Sequence, residues 1–442
     1  MPHQHMNSLI SKYNIVTDQF IDLTVNLDQA KKGDIAFYRL YENEKSISLF
    51  KQRNEKGNAG LVITNLEVEG LDCLVVELED FYQLQEELVE VLYPLDREVS
   101  LIGVTGTNGK SSVTHLCQLI LNRNNFKACC IGTVGIIRED KEIMPSLSAT
   151  TPSYLDLRRV IYRLNDIDYF CIEVSSHALE QGRVKGMDFS SIGWTNLTQD
   201  HLDYHGTMEA YFNAKAKLLN YCENEVIIPS SQAEYFKDKI KYKVAPHVDN
   251  KYGEEFNLSY NKDNLDLAFA LCDEAVGEEL NREIKLELPK GRFNLIRDQE
   301  NIYIIDYAHT PDALINICRE TKSLFKNHHL ITIFGCGGDR DRTKRPLMLQ
   351  AALEYSDSVV VTSDNPRFED PERIIEDILK DNSNDVDVIV SREDAIKNYV
   401  KRYKNPTVVI IAGKGHEEYQ DVNGVKSFFS DIEIVKKAIE VL

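Results

Sequence analysis

The chain has 442 residues, 43% hydrophobic and 28% charged, with a formal net charge of −20. That length suggests about three domains of roughly 150 residues, each able to bury a sizeable core. The acidic balance argues against a general nucleic-acid binder or an anionic-membrane binder, but it leaves room for anionic substrates at a local basic site. Nine scattered cysteines with no C-x-x-C pair indicate neither a zinc knuckle nor a disulfide framework, and most read as small buried hydrophobes.

In chain order, "MPHQHMNSLISKYN" lacks the basic and apolar regions of a signal peptide, and no apolar run approaches a membrane span. A reduced cytoplasm and no membrane insertion are expected. Residues 1–97 are mixed, with short strands such as "GDIAFYRL" and "AGLVIT", and close on a helical "DFYQLQEELVEVLYP". Residues 98–289 open on the strand "EVSLIGVTG", after which "ACCIGTVGI", "YFCIEVSS" and "SSIGWTNL" alternate with helical stretches. This is the pattern of a parallel sheet covered by helices. Residues 290–442 repeat it with strands "IYIIDYA", "HLITIFGCG", "DSVVVTS", "VDVIVS" and "PTVVIIAG". The fold class is α/β: a small N-terminal domain, a central ATPase-type parallel sheet and a C-terminal Rossmann-like domain. In such sheets, sites form where strands end at their carboxyl edges, so the loops after the last zone's strands should share one rim.

"GVTGTNGKSSVTHL" places a glycine loop, Lys110, Ser111 and a helix directly after a strand. Backbone N–H groups and the helix N-terminus favour phosphate there, Lys110 reaches the outer phosphates, and Ser111 is placed to hold Mg²⁺. The strict spacing would need Gly at position 104, where Val104 stands. The bland alternative is a glycine turn with a surface lysine. Glu173 ends a buried strand, where a carboxylate needs a partner. His201 lies in "TQDHLDYHGTMEAYF", which alone also fits a helix start with capping acids.

The stretch "TGTNGKSS", Thr105 to Ser112, resembles the ATP loop of the Mur ligase family, ATP-dependent enzymes that form amide bonds of the peptidoglycan stem peptide. Thr105, Gly106, Thr107, Asn108, Gly109, Lys110, Ser111 and Ser112 would bind ATP. The resemblance implies one Mg²⁺ on Ser111 and Glu173, and a second on Glu173, His201 and a CO₂-derived carbamate of Lys215. The family spacing from "DYHG" selects Lys215 over its neighbour Lys217; without the family, both would read as surface helix lysines. Thr150, Thr151, Ser175, Gln181 and Arg183 match positions that contact the uridine nucleotide substrate, although Thr150-Thr151-Pro152 also fits a helix start. Asn264 resembles the asparagine that meets adenine; its alternative is a helix N-cap. Arg292 in "KGRFN" would reach the γ-phosphate, with Asn294 where the family often carries Glu. Asp306 and His309 in "DYAHTPDAL" would approach ATP when the third domain closes. Matches in order from 103 to 431 cover about three quarters of the chain.

"TSDNPRFEDP" breaks a strand at Asp364-Asn365-Pro366 and opens a helix at Asp370-Pro371, holding Arg367 between. The family branch adding the third stem residue carries such a loop, and the Arg form resembles enzymes accepting meso-diaminopimelate. A guanidinium can grip that substrate's second carboxylate bidentately. The alternative is a solvated loop cation. Arg340, Asp364, Asn365, Pro366, Arg367, Gly413 and Glu417 match the positions for this amino-acid head, and Glu417 could pair with its ammonium. The implied enzyme phosphorylates the D-Glu γ-carboxylate of a UDP-linked muramoyl dipeptide and lets diaminopimelate attack the acyl phosphate, as a monomer. The first zone departs from the family: "VNLDQAKKGD" keeps the Gly33-Asp34 turn but not the Ser and Arg of "DSR-x-V-x-x-GD", with Leu27 near the Ser position. The segment between Lys217 and Asn264 is short. A Mur-ligase-like paralogue with another acceptor or amino acid is the alternative; a folylpolyglutamate synthase is disfavoured by "DNPR" and "GKGHE-x-Y", and a silent scaffold by Lys110, Glu173, His201 and Lys215.

Overall fold

The computed structural model describes residues 8–139, 141–144, 150–380, 386–401 and 403–441. Three α/β units follow one another, each built on its own sheet. The first has four parallel strands, Asp22–Thr24, Asp34–Tyr38, Leu61–Thr64 and Leu74–Val75, in chain order. The helix Leu78–Leu92 covers one face through Phe81, Leu84 and Leu88, and the helix Glu44–Lys56 the other through Phe50.

The second sheet has eight strands with Ser100–Thr105 near its centre, between Ser191–Trp194 and Tyr169–Glu173. Its central strands are apolar throughout because helices cover both faces, while the edge strands Lys141–Met144 and Tyr242–Val244 are largely exposed. One expectation needs correction. "ACCIGTVGI" is not a single strand but two, Ala128–Gly132 and Gly135–Arg138, paired antiparallel and followed by Lys141–Met144. The chain reverses at Thr133-Val134, and Gly135 takes φ 107°, a conformation costly for a residue with Cβ.

The third sheet carries an antiparallel edge strand, Asn294–Asp298, beside five parallel ones: Asn301–Asp306, Thr407–Ala412, His329–Phe334, Ser358–Val361 and Val386–Val388. Since the five run the same way, "DYAHTPD", "FGCGGDRDR", "TSDNPR" and "AGKGHEEYQ" do gather on one rim; Gly413 N–H donates to Asp306 O at 3.1 Å. Asp370 caps the helix Pro371–Leu379, with Pro371 in its first turn. Seven of the nine cysteines are buried, Cys73 and Cys222 only partly. Among the described residues, no helix is long and apolar enough to cross a membrane.

Beneath the rim lies a fully buried ion pair. Arg392 donates to both carboxylate oxygens of Asp431, at 2.9 and 2.7 Å, and to Ala412 O at 2.9 Å. It thereby ties the start of the Arg392–Tyr399 helix to the end of a central strand. Breaking such a pair leaves a buried charge uncompensated, at a cost of about 3–5 kcal/mol, whereas an apolar replacement of both partners is close to neutral. Asp431→Ala should therefore lower the denaturant midpoint of the third unit strongly, and the double variant Arg392→Met, Asp431→Leu should recover most of it. Equal midpoints for the single and double variants would contradict this account.

Candidate active site

The phosphate loop forms as the sequence predicts: strand Ser100–Thr105, a tight loop, then helix Lys110–Arg123. Gly106 and Gly109 take φ 142° and 88°. A Cβ on Gly106 would lie 1.9 Å from Thr195 Oγ1, and one on Gly109 would lie 2.6 Å from Asn264 Oδ1, so both must be glycine. Lys110 is folded over the loop, donating to Gly106 O at 3.0 Å and Thr107 O at 2.9 Å. Thr105 is part of the strand and buried, while the Thr107 hydroxyl donates to Thr198 O.

Lys215, on the helix Met208–Ala216, converges on the same carbonyl, donating to Gly106 O at 2.8 Å with its ammonium over the Tyr211 ring. It is fully buried, unlike Lys217, which is half exposed and pairs with Glu180. Burial, and then the charge of Lys110, push the Lys215 amine well below the usual lysine range; burial also lowers Lys110, against the pull of Glu173 and Asp200. Glu173 is buried and accepts from Thr133 N–H and its hydroxyl, at 2.9 and 3.2 Å. His201 precedes the short helix Leu202–His205 in a left-handed conformation, with Asp200 3.3 Å from its ring. Among the described residues, no three His, Cys, Asp or Glu side chains converge as a metal cluster.

A cavity of about 280 Å³ brings together Lys110, Ser111, Glu173 and His201 of the second unit with Arg292, His309, Arg340, Asp364, Asn365, Arg367, Gly413 and Glu417 of the third. Arg292 bridges the units, donating to Ser111 Oγ at 3.2 Å while lying over the Tyr307 ring. A neighbouring cavity of about 390 Å³ is lined by Asn108, Ser112, Asn264, Asp306 and Asp312. Asn264 sits inside the helix Ser259–Val276, not at its N-cap, which corrects that alternative. Asp306 accepts from Phe293 and Ala308 N–H and shapes this wall. A third, open cavity of about 1120 Å³ is lined by Thr150, Arg340, Arg367 and Glu417.

Thr151, Ser175, Gln181 and Arg183 form a separate network behind Glu173. The Thr151 hydroxyl donates to Glu173 O at 2.8 Å, and Arg183 donates to Thr151 O at 2.6 Å and to Gln181 Oε1. Ser175 caps the helix Ser176–Glu180, and Thr150-Thr151 precede the helix Tyr154–Arg163, whose cap is Ser153.

The Arg367 loop is held in an uncommon shape. Arg367 has φ 50°, and Pro366 follows a buried Asn365. A hairpin not anticipated from the sequence, Tyr419–Val422 with Val425–Phe428, clamps it: Arg367 N–H donates to Asp421 O and Asn423 N–H to Arg367 O. The guanidinium donates to Gly338 O at 2.8 Å. Sequence reasoning also passed over Lys414. Its ammonium is fully buried and donates to Asn365 Oδ1 at 3.0 Å and Glu417 Oε2 at 2.9 Å, which turns the Asn365 amide N–H₂ toward Glu417. A lysine between two glycines directly after an apolar strand was the available signal.

Residues 104–295 match the family model of the Mur ligase middle domain, and residues 291–415 that of the Mur ligase glutamate ligase domain. The chain is 36% identical to a UDP-N-acetylmuramoyl-L-alanyl-D-glutamate--2,6-diaminopimelate ligase of Aquifex aeolicus, over 94% of this chain and 93% of that protein. Identity to the corresponding ligase 1 of Clostridium acetobutylicum is also 36%, over 88% of each. A solved structure of a ligase of the same name aligns with TM-score 0.55 at 30% identity, covering 96% of this chain and 95% of that one. A MurF ligase from Thermotoga maritima in complex with ADP aligns with TM-score 0.61, covering 96% and 99%; at 13% identity it bears on the fold alone.

Burial sets the charge of the histidines on these walls. It pulls His201 and His309 down to about 4 and His416 to about 3, and the nearby cations Lys110, Lys344 and Arg292 add to it. His201 is nearly half exposed, so solvent screens its shift more than that of His309. Folding thus favours the neutral rings, while unfolded histidine titrates near 6.5. Their contribution to stability is complete above pH 6.5 and is lost as pH falls toward 4. The His309 ring should remain neutral by nitrogen NMR at pH 6, and the melting temperature should fall between pH 6.5 and 4. A His309 ring titrating at 6 or above would contradict this.

Proposed function

The chain belongs to the Mur ligase family, and on that premise we propose that it joins meso-2,6-diaminopimelate to the D-Glu γ-carboxylate of UDP-MurNAc-L-Ala-D-Glu. ATP is the energy source, the intermediate is an acyl phosphate, and the product is a peptidoglycan precursor. The observation that carries this reading is the shared cavity, where phosphate-loop groups Lys110 and Ser111 face Arg367, Asn365 and Glu417. A phosphoryl transfer and an amino-acid head therefore have one meeting place. The setting proposed is the cytoplasm, and the acting form a monomer.

ATP would place its phosphates on the loop from Thr105 to Ser112 and its base in the cavity lined by Asn264 and Asp306, with His309 near the triphosphate. In the first step an acceptor carboxylate oxygen bonds to the γ-phosphorus as the bond to the β-phosphate oxygen breaks. Lys110 and Arg292 offset the charge on the transferring group. In the second, the diaminopimelate amine bonds to the acyl carbon, inorganic phosphate leaves, and an amide remains. Reaction rests on positioning, because the acceptor and the amine are presented by different units. Thr150, Thr151, Ser175, Gln181 and Arg183 are the side chains proposed to hold the acceptor.

Two Mg²⁺ sites fit the residues present. Ser111 and Glu173 would hold one; Glu173, His201 and a carbamate on Lys215 would hold the other, an oxygen-rich set with one neutral imidazole. The bound ions supply electrostatic stabilisation of phosphate oxygens. Burial and the charge of Lys110 press the Lys215 amine toward its neutral form, the one that adds to CO₂, and without a carbamate the donor set falls short of three anionic or imidazole ligands. Lys215→Gln should lower turnover by about two orders of magnitude or more, and Lys217→Gln should leave it within about twofold. Comparable losses at both positions would remove the carbamate from this reading.

For the amino acid, Arg340 and Arg367 are proposed to grip the distal carboxylate and Glu417 the distal ammonium. Asp364, Asn365, Pro366 and Gly413 shape the seat, and Lys414 fixes the Asn365 amide. L-Lysine has no carboxylate to offer Arg367. The unmodified enzyme should therefore prefer meso-diaminopimelate strongly. Arg367→Ala should raise its KM for diaminopimelate by about tenfold to a thousandfold, the worth of a charge-assisted pair, and leave the KM for ATP unchanged. A panel of acceptors and amino acids with product masses tests the reading as a whole; equal use of lysine would refute the specificity, and phosphate release without an amino acid would refute the ligase. The competing reading, another acceptor, draws on Leu27, which is buried in the first unit's core and offers no hydroxyl.

A further inference from the structure

Tyr307 has a place in the cleft that no step of the reaction described above uses. Of the described residues that line the three cavities, it alone belongs to all of them: the one holding Asn264, the one shared by the phosphate loop and Arg367, and the open one. It directly follows the strand Asn301–Asp306, at the carboxyl edge of the third sheet. The Arg292 guanidinium lies over its ring at 4.5 Å, and the rings of His309 and His416 are centred 4.6 and 5.2 Å away.

The ring is held in place. His309 Nδ1 donates to Tyr307 O at 2.8 Å, and Lys344 donates to His309 O at 3.1 Å, which ties this loop to the next one on the rim. Gly415 takes φ 55°, and a Cβ there would lie 2.8 Å from Tyr307 Cβ, so the loop after the strand Thr407–Ala412 packs flush against the tyrosine. The hydroxyl is tied to nothing comparable. Among the described residues it has no hydrogen-bond partner, and the side chain is only partly buried.

The charges that act on this hydroxyl come from both ends of the cleft. Glu417 and Asp364 belong to the proposed amino-acid seat, with the Tyr419 hydroxyl beside them, and Arg292 belongs to the phosphate side. The hydroxyl therefore stands between the two ends, where an acyl carbon and an amine would meet. Burial first, and then Glu417, hold its proton on well above the usual tyrosine range, so it is a donor at any working pH.

We propose that the Tyr307 hydroxyl donates a hydrogen bond to the carbonyl oxygen of the acyl phosphate and stabilises the oxyanion that forms when the amine attacks. The inference rests on the acyl-phosphate ligase reading. In the first step the acceptor carboxylate becomes an acyl phosphate, and its non-bridging oxygen loses negative charge. In the second, the amine lone pair bonds to the acyl carbon and the carbonyl pair moves onto that oxygen. The pair returns as the bond to the phosphate oxygen breaks, and the amine proton ends on the departing phosphate. A donor aimed at this oxygen thus gains strength only in the second step, so it lowers that barrier rather than tightening substrate binding. The plainer reading, a wall that supports Arg292, needs the ring but not the hydroxyl.

Tyr307→Phe separates the two, because it keeps the ring under Arg292 and removes the donor alone. Its kcat for amide formation should fall about a hundredfold, the usual loss for one oxyanion donor, with the KM for ATP and for diaminopimelate within about twofold. The melting temperature should not move. The effect should also divide by step. On rapid mixing with ATP, UDP-muramoyl dipeptide and diaminopimelate, the variant should form its first equivalent of ADP at the parent rate while the amide lags. Borohydride should then trap the accumulated acyl phosphate as the alcohol. Equal kcat in parent and variant overturns the donor and leaves the ligase reading standing. Loss of the ADP burst in step with the amide also overturns the donor, since the defect would then lie in phosphoryl transfer. A parent that forms no amide from any acceptor and amino acid overturns the ligase reading and the donor together.

Discussion

Two lysine side chains converge on one backbone carbonyl, and the site is organised around that constraint. Lys110 and Lys215 both donate to Gly106 O, at 3.0 and 2.8 Å. Two like charges at this separation in a dry interior cannot both persist, so one must give up its proton or be matched by anions. Burial and the charge of Lys110 lower the Lys215 amine, while burial lowers Lys110 against the pull of Glu173 and Asp200. The same crowding that makes Lys215 a poor cation makes it a good candidate for modification to an anion. That conversion would relieve the repulsion and add the negative charge that a divalent cation beside Glu173 calls for.

The third unit solves a related problem with cations of its own. Its rim loops are irregular, and Arg367 holds a left-handed backbone, a conformation that costs about 1–3 kcal/mol unless its surroundings enforce it. Enforcement comes from behind. Arg345, almost fully buried, donates to both oxygens of Glu369, to Asp377 and to Gly337 O. These bonds, Arg345 foremost, hold the Glu369 carboxyl down at about 2. Arg392 anchors the strand leading to Gly413, and Lys414 locks Asn365 against Glu417. Each brace is a buried charge facing an opposite one, and together they hold the rim loops from behind.

The regions legible in the sequence were those where one physical rule dominates. Apolar runs gave the parallel strands, glycine spacing with Lys110 gave the phosphate loop, and Asp370-Pro371 gave a helix start. The hairpin Tyr419–Val422 with Val425–Phe428 was missed although Asn423-Gly424, now at φ 53° and 77°, is a strong two-residue hairpin signal. Its strands are exposed and carry little apolar alternation, and its purpose, gripping Arg367 from a distance of some fifty residues, is not written locally. Lys414 was passed over for the opposite reason: a lysine in a glycine loop reads as a surface charge, and only packing shows it to be enclosed.

In a chain of net charge −20, a site for a triphosphate has to rest on local cations. Lys110 and Arg292 stand in the cleft itself, whereas Arg345, Arg392 and Lys414 lie behind it, already paired with Glu369, Asp431 and Glu417. Few polar bonds cross between the second and third units at the site, chiefly Arg292 with Ser111 and Asn108 with Asp312 at 3.2 Å. Two neutral or singly charged contacts of this kind contribute little net stability. Lys110 and Arg292 repel each other until anionic charge lies between them.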